Sequence, residues 1–380
     1  MDARLSCGLA LLAWLSAHPA RAETEPAPAP APTIELVTIG SGDELYEKFG
    51  HAAICLREPA GAHRCFNYGV TDFADGAGLA WRFIRGRQKF WVDEESFDHM
   101  VAGYERDDRE VLVQTLPLAP AASTALVAAI EHDLEPAHRE YIYDHFTDNC
   151  ATRIRDLLDR ALDGRLRSAS QRESPRSLRA VGHAGLASAP LVFALTDFLL
   201  GRAIDGPATT WQAMYYPAVL RDQIATQLAA PAMTVYQRHG PPLDGDGTRG
   251  RRWVLMLALA FAVPAMIATL IGRGERLAAA WAALWLATWG VVVWTLVILS
   301  VVPTLHYNEV ALVLVPFDAA LPVLGAARRR TYARVRVAQL GLVCALVALG
   351  VLHQPLGLPL ACAAAPLASF ALARAPRLPR

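Results

Sequence analysis

The sequence predicts an α+β domain on the far side of a membrane, followed by an all-α membrane domain of about five transmembrane helices. Three observations predict it. The chain opens on a short charged start, an apolar core and a small-x-small cleavage signal. Residues 34–238 mix strand-like alternation with amphipathic helical spacing. After Arg252, long apolar runs replace both. The 380 residues leave room for two domains, and the 53% hydrophobic fraction is most concentrated in the last third. A formal net charge of +0 offers no sequence-wide argument for nucleic acid as a partner.

Residues 1–22 read as a signal peptide, with "LSCGLALLAWLSA" as its core and "ARA" before Glu23. That core is short for a membrane span, and Cys7 inside it lies too early for lipoprotein attachment. A chain cut there begins where disulfides persist. Residues 23–33, "ETEPAPAPAPT", are a Pro/Ala linker that favours polyproline II.

Within 34–238, "IELVTIG", "HAAICLRE", "RCFNYGV", "REVLVQTL" and "EYIYDHF" read as strands. "AASTALVAAIEHDL", "ATRIRDLLDRAL" (stopped by Gly164), "PLVFALTDFLLG" and "WQAMYYPAVLRDQIATQL" read as helices. Residues 239–251 are a Gly/Pro-rich linker and 252–380 the membrane domain. Its five expected spans are 253–271, 277–302, 309–325, 337–352 and 356–373. "RGER" (273–276), "ARRRTYARVR" (327–336) and "RAPRLPR" (374–380) then fall on the cytoplasmic side, against "RGRR" (249–252) outside. Asp318 lies deep in the third span and should face protein or water.

The chemistry centres on "FTDNCATRIRDLLDRAL" (146–162). Cys150 continues the apolar face of Ile154, Leu157, Leu158 and Leu162, which suits a buried structural thiol. It also stands in the first turn of a helix that Asp148 or Asn149 can cap, where free N–H groups favour a thiolate. A nucleophile there needs a base. His51 opens a strand just after Gly50, with His132, His138 and His145 as competitors. If Cys55 and Cys65 face each other across a hairpin, Asn67 opposes Ala53 and lies diagonal to His51 on one face. Asn67 could then orient the imidazole, as in Cys-His-Asn hydrolases, whereas a one-residue slip would turn it away. The same two cysteines could form a disulfide or remain two thiols in a hairpin. Asn149 and the Cys150 N–H are candidates to stabilise an oxyanion. The histidines lack metal-binding spacing and no phosphate-cradling glycine loop occurs, so neither metal nor cofactor is expected. "RFIRGRQKFW" (82–91) could bind a phosphate or lipid headgroup, or be a solvated strand edge.

Taken in order, "LYEKFGHAAICL", "FNYGVTDF", "FIRGRQKFWV", "YERDDREVLVQTL", "YIYDHFTDNCATRIRDLL" and "DGPATTWQAMYYPAVL" resemble the periplasmic N-terminal domain of the Lnb lipoprotein N-acyltransferase family, over about 34–228. "LHYNEVALVLVPFD" resembles its membrane part more loosely. The resemblance implies a permuted papain-like (NlpC-type) thiol domain, the group that includes lecithin:retinol acyltransferase, with the histidine preceding the cysteine. It makes Cys150 the nucleophile and His51 the base. It further implies acyl transfer from a glycerol ester, of a diacylglyceryl lipoprotein or a phospholipid, to a lipoprotein's N-terminal amine. The expected site is the bacterial inner membrane, multi-pass, with the catalytic domain in the periplasm.

Five spans suit a membrane-embedded substrate. Trp211, Tyr215 and Tyr216 could collect at the interface, and His306 and Asn308 could face lipid at the outer end of the third span; helix packing and a wet loop are the plainer readings. Two other functions fit the same residues: a periplasmic thiol hydrolase, whether lipid esterase or cell-wall peptidase, and a non-catalytic membrane-anchored binding module.

Overall fold

Seven strands among the described residues pair into one antiparallel sheet. The computed structural model describes residues 31–243 and 245–373; the expected signal peptide and the tail 374–380 lie outside the described residues. The strands are β1 (Thr33–Ile39), β2 (His51–Arg57), β3 (His63–Val70), β4 (Lys89–Ser96), β5 (Val111–Leu116), β6 (Glu140–Ile142) and β7 (Met233–Tyr236). Their order is β6-β4-β3-β2-β1-β5-β7. In β2 and β3, Cys55 opposes Cys65 and Ala53 opposes Asn67.

Helices cover both faces. α1 (Gly76–Ile84) and α2 (Phe97–Arg106) flank β4, and α3 (Pro120–Leu134) follows β5. α4 (Cys150–Ala161) leads into α5 (Arg165–Ala169), α6 (Leu178–Gly185) and α7 (Pro190–Leu199). Ile154, Leu157 and Leu158 of α4 join Leu36, Ala52, Ile54 and Phe66 in the larger core. Met100 and Val101 of α2 close the other face over Val37, Ala53, Cys55 and Cys65. The helix expected over 211–228 is two helices, α8 (Thr210–Ala213) and α9 (Pro217–Gln227). Pro217 lacks an N–H and clashes with a preceding turn, so it starts a helix instead of continuing one. The strand expected over 140–146 stops at Ile142, because the Asp144 carboxylate accepts from the N–H groups of Phe146 and Thr147 and makes a turn.

Among the described residues, three helices are long and apolar enough to cross a membrane: α10 (Arg249–Ile271), α11 (Glu275–Leu299) and α13 (Ala326–Ala348). α12 (Pro303–His306) is a single turn, and α14 (Gly357–Ala371) is apolar but shorter. "RGRR" belongs to α10 and not to the linker before it; Arg251 reaches the buried Asp197 of α7 at 2.7 Å.

The expected third span is not a helix. Residues 309–325 form two 3-10 turns, Glu309–Leu312 and Pro316–Ala320. Pro316 disfavours a continuous helix, and burial inside protein is what lets irregular backbone exist beside apolar helices. The segment runs back along α11. Val315 and Pro316 sit against Gly290, where an added side chain would collide with them. Beyond it, Arg329 pairs with Glu275 in the first turn of α11. Asp318 is fully buried and bonded by Arg336 and Tyr332, so it faces protein.

Candidate active site

Gly50 sets the entrance to β2. Its φ of +74 and the closeness of the Ile39 carbonyl leave no room for a side chain there, and His51 follows at once. His51 Nε2 lies 3.0 Å from Asn67 Oδ1. The amide's orientation is settled by its other end, since Nδ2 donates to Glu95 Oε1 at 2.9 Å. Oδ1 must therefore accept, Nε2 must carry the proton, and Nδ1 keeps a free lone pair.

Cys150 is N1 of α4. Asn149 caps the helix by accepting from the Thr152 N–H, and the Thr152 hydroxyl answers the Asn149 N–H. The backbone N–H groups of Ala52, Ala151 and Cys150 itself favour the thiolate, so the sulphur stands near the residue that follows His51. β3 makes room for it: at the β-bulge after Tyr68, Gly69 adopts φ +98. A side chain there would touch the Cys150 Cβ and the Tyr141 hydroxyl. The structure thus gathers His51, Asn67 and Cys150 at one end of the sheet.

The electrostatics oppose a resting ion pair. Burial pushes the Cys150 thiol up, against the pull of the three N–H groups and the Arg109 guanidinium. Burial also lowers His51 to about 4; Arg109 adds to this, and the Asn67 bond opposes it. The helix start does favour a thiolate, as its position suggests, but desolvation is the larger effect. Thiol and imidazole both rest neutral near pH 7.

Asn149 has no hydrogen left for an oxyanion. Its Nδ2 donates to the carbonyls of His145 and Tyr215, which corrects the role expected of it. A better donor is nearby. The Tyr141 hydroxyl is buried with no hydrogen-bond partner among the described residues, and a charge on Cys150 is felt at its oxygen. Arg153 lies over its ring at 4.0 Å.

Residues 20–184 match the family model of the Lnb N-terminal periplasmic domain. No curated protein and no solved structure matches the chain. The match spans His51, Asn67, Tyr141 and Cys150 and supports the Lnb family. Together with the three membrane-capable helices it describes a membrane protein with a periplasmic domain of Lnb type.

Several residues sit elsewhere in this Lnb-type arrangement than their side-chain types suggest. Trp211 is in the core, with Arg155 and Arg167 over its ring, and does not face lipid. Tyr215 is buried and donates to the Leu178 carbonyl, and Tyr216 packs half-buried beside it. Asn308 is buried too, donating to the carbonyls of Phe198 and Leu199 and capping Val310. His306 is half-buried against Tyr307. The disulfide Cys55–Cys65 ties β2 to β3 two residue pairs beyond the Asn67 ladder step, on the same face. His132, in the last turn of α3, and His138, on the connection to β6, are both exposed.

Sequence reasoning missed Arg109, Tyr104 and Tyr141. Arg109 donates to the Gly40 carbonyl and to Glu47, lies over Tyr104 at 5.0 Å, and is the positive charge acting on both His51 and Cys150. The period-two pair Tyr141 and Tyr143, just before the cysteine, was the available signal for an aromatic wall.

Proposed function

We propose that the protein is a membrane-bound thiol acyltransferase of lipoprotein N-acylation. In this reading an acyl chain passes from a glycerol ester, through a thioester on Cys150, to the N-terminal amine of a lipoprotein. The observation that carries it is the His51–Asn67 hydrogen bond beside a cysteine at a helix start, in a domain matching the Lnb family. The histidine-before-cysteine order resembles that of permuted papain-like thiol enzymes.

The chemistry follows from two neutral partners. As the sulphur attacks the ester carbonyl, its proton moves to His51 Nδ1. Negative charge collects on the carbonyl oxygen, where the Tyr141 hydroxyl is the free donor. The intermediate collapses with loss of the glycerol oxygen, which takes the proton from the imidazolium and leaves as an alcohol. The amine then attacks the thioester carbon, passes a proton to His51, and the sulphur departs and recovers that proton. An amide remains, and the enzyme is unchanged. Asn67 keeps the ring oriented throughout, and Glu95 keeps Asn67 oriented.

The test uses a bacterium that lacks its own lipoprotein N-acylation. Expression of the wild-type chain should add an N-acyl mass to a lipoprotein's N-terminal peptide, and Cys150→Ala or His51→Ala should not, at equal amounts of folded protein. An N-acyl group appearing with Cys150→Ala would end the thioester mechanism. An unmodified peptide with wild-type protein present would favour hydrolysis.

A further inference from the structure

A cavity of about 250 Å³ is lined both by chain neighbours of the Cys150 site residues and by the turn that follows α11. One wall comes from residues next to the catalytic ones: Phe49, two before His51, and Phe146, four before Cys150. The opposite wall is Leu200 at the end of α7, with Val302 and Leu305 in the turn after α11. Phe83 of α1 closes a side. We propose that this cavity holds the fatty acyl chain of the lipid ester while its carbonyl sits at Cys150.

The wall chemistry selects for hydrocarbon. The Arg179 guanidinium is consumed by Asp205 and the carbonyls of Thr196, Leu200 and Gly201. His183 is bonded to the Thr196 hydroxyl, and Asp144 accepts two backbone N–H groups on Oδ1. Burial holds His145 and His183 to about 4, so both are neutral at pH 7. An anionic headgroup would find no free positive charge and would meet the Asp144 carboxylate, whereas each methylene placed there tightens binding about fourfold. Elements of its wall are tied to the two places a lipid ester must touch. Tyr143, on which a Cys150 charge acts, bonds His145 in the wall at 3.3 Å. On the membrane side, Arg85 after α1 donates to the Leu299 carbonyl at the end of α11, and Trp81 of the same helix is exposed, as suits a bilayer interface.

The proposal rests on the acyl-transfer reading for the ester to which the chain belongs. The test reconstitutes the full chain in nanodiscs of phosphatidylethanolamine that carries a diazirine near the end of one acyl chain. After illumination, crosslinks are mapped by mass spectrometry. In parallel, Leu305→Trp and Val302→Phe narrow the cavity, and the acyl lengths found as Cys150 thioester are compared with wild type. Crosslinks on peptides containing Phe49, Leu200 or Leu305, and a shift toward shorter chains in a folded narrowing variant, support the proposal. Crosslinks confined to the outer faces of α10, α11 and α13, with an unchanged length profile, overturn it and leave acyl transfer standing. Cavity crosslinks with no Cys150 thioester in the wild type would keep the chain site and remove the transfer reading.

Discussion

His51 and Asn67 meet at 3.0 Å across adjacent strands, although neither opposes the other in the ladder: His51 pairs with Ile39 of β1, and Asn67 with Ala53. The diagonal contact fixes the Nε2–H tautomer and leaves Nδ1 as the base. Asn67→Ala should therefore slow acylation of Cys150 by on the order of 10- to 100-fold, a part of the worth of general-base catalysis. Asn67→Asp keeps the acceptor and places a carboxylate beside the ring, so it should raise the acid limb of the pH–rate profile toward neutrality. A purely structural Asn67 would move neither the profile nor the rate in a folded variant.

The acid limb itself is a second prediction. A buried imidazole lowered to about 4 remains a free base through pH 5 and 6, so kcat/KM should begin to fail only as pH approaches about 4. Stability moves in the same direction. His51 and His145 are both depressed below their unfolded value of about 6.5, so their contribution is whole above that pH and is lost as pH falls toward about 4. Activity that returns on neutralisation separates titration from unfolding. At the other extreme, the raised thiol predicts alkylation of the resting enzyme that accelerates with rising pH beyond the ordinary thiol range. Rapid, pH-independent alkylation at pH 6 would mean a resting thiolate and would reverse the electrostatic account.

How much of this was legible in the chain depends on how local each feature is. The helix after Asn149 and the strands on either side of 58–62 are local patterns, and the Cys55–Cys65 spacing carried the register with them. The use of a side chain's hydrogens is not local. Asn149 reads as a cap, but one of its amide hydrogens goes to Tyr215, 66 residues on. Trp211 looks the same in sequence whether lipid or two guanidinium groups cover it. β4 went unseen because "DEES" follows "KFWV" and breaks the apolar alternation. The 309–325 segment has the composition of a spanning helix; only its proline and the distant Arg336 show that it crosses the bundle in tight turns.

Tyr141 offers a cleaner separation of catalysis from folding than most active-site residues. Its hydroxyl has no partner to lose among the described residues, so Tyr141→Phe should leave the melting temperature unchanged or raise it. If the hydroxyl meets the developing oxyanion, the acylation rate should fall by about 100-fold, the low end of the cost of removing one such donor. A full rate in Tyr141→Phe would return that role to the backbone N–H groups of α4.

The Cys55–Cys65 disulfide closes a short loop, with ten residues of sequence separation. Its removal should cost about 3 kcal/mol by loop entropy. The bond lies on the face and strand pair that carry His51 and Asn67, so its loss also loosens the register that brings them together. Cys55→Ala with Cys65→Ala should lower the denaturation midpoint while retaining measurable acylation. Complete loss of activity in a variant that still folds would give the disulfide a larger part in positioning the site.

The last prediction concerns the membrane part. Arg336 of α13 donates to both oxygens of Asp318, at 2.9 and 3.0 Å, and to the Val313 carbonyl. Both side chains are nearly or fully removed from solvent. Asp318 lies in the second 3-10 turn and Val313 just after the first, so Arg336 ties both to α13. Breaking the pair leaves an uncompensated buried charge, and Asp318→Ala should destabilise the protein by about 3–5 kcal/mol in detergent unfolding. Arg336→Met added to Asp318→Leu removes both charges together and should recover a large part of that loss, since an apolar pair carries no desolvation penalty. A double variant as unstable as the sum of its singles would show that the ion pair is not what fixes this crossing. The load would then fall on the close packing of Val315 and Pro316 against Gly290, and Gly290→Ala would become the more damaging change.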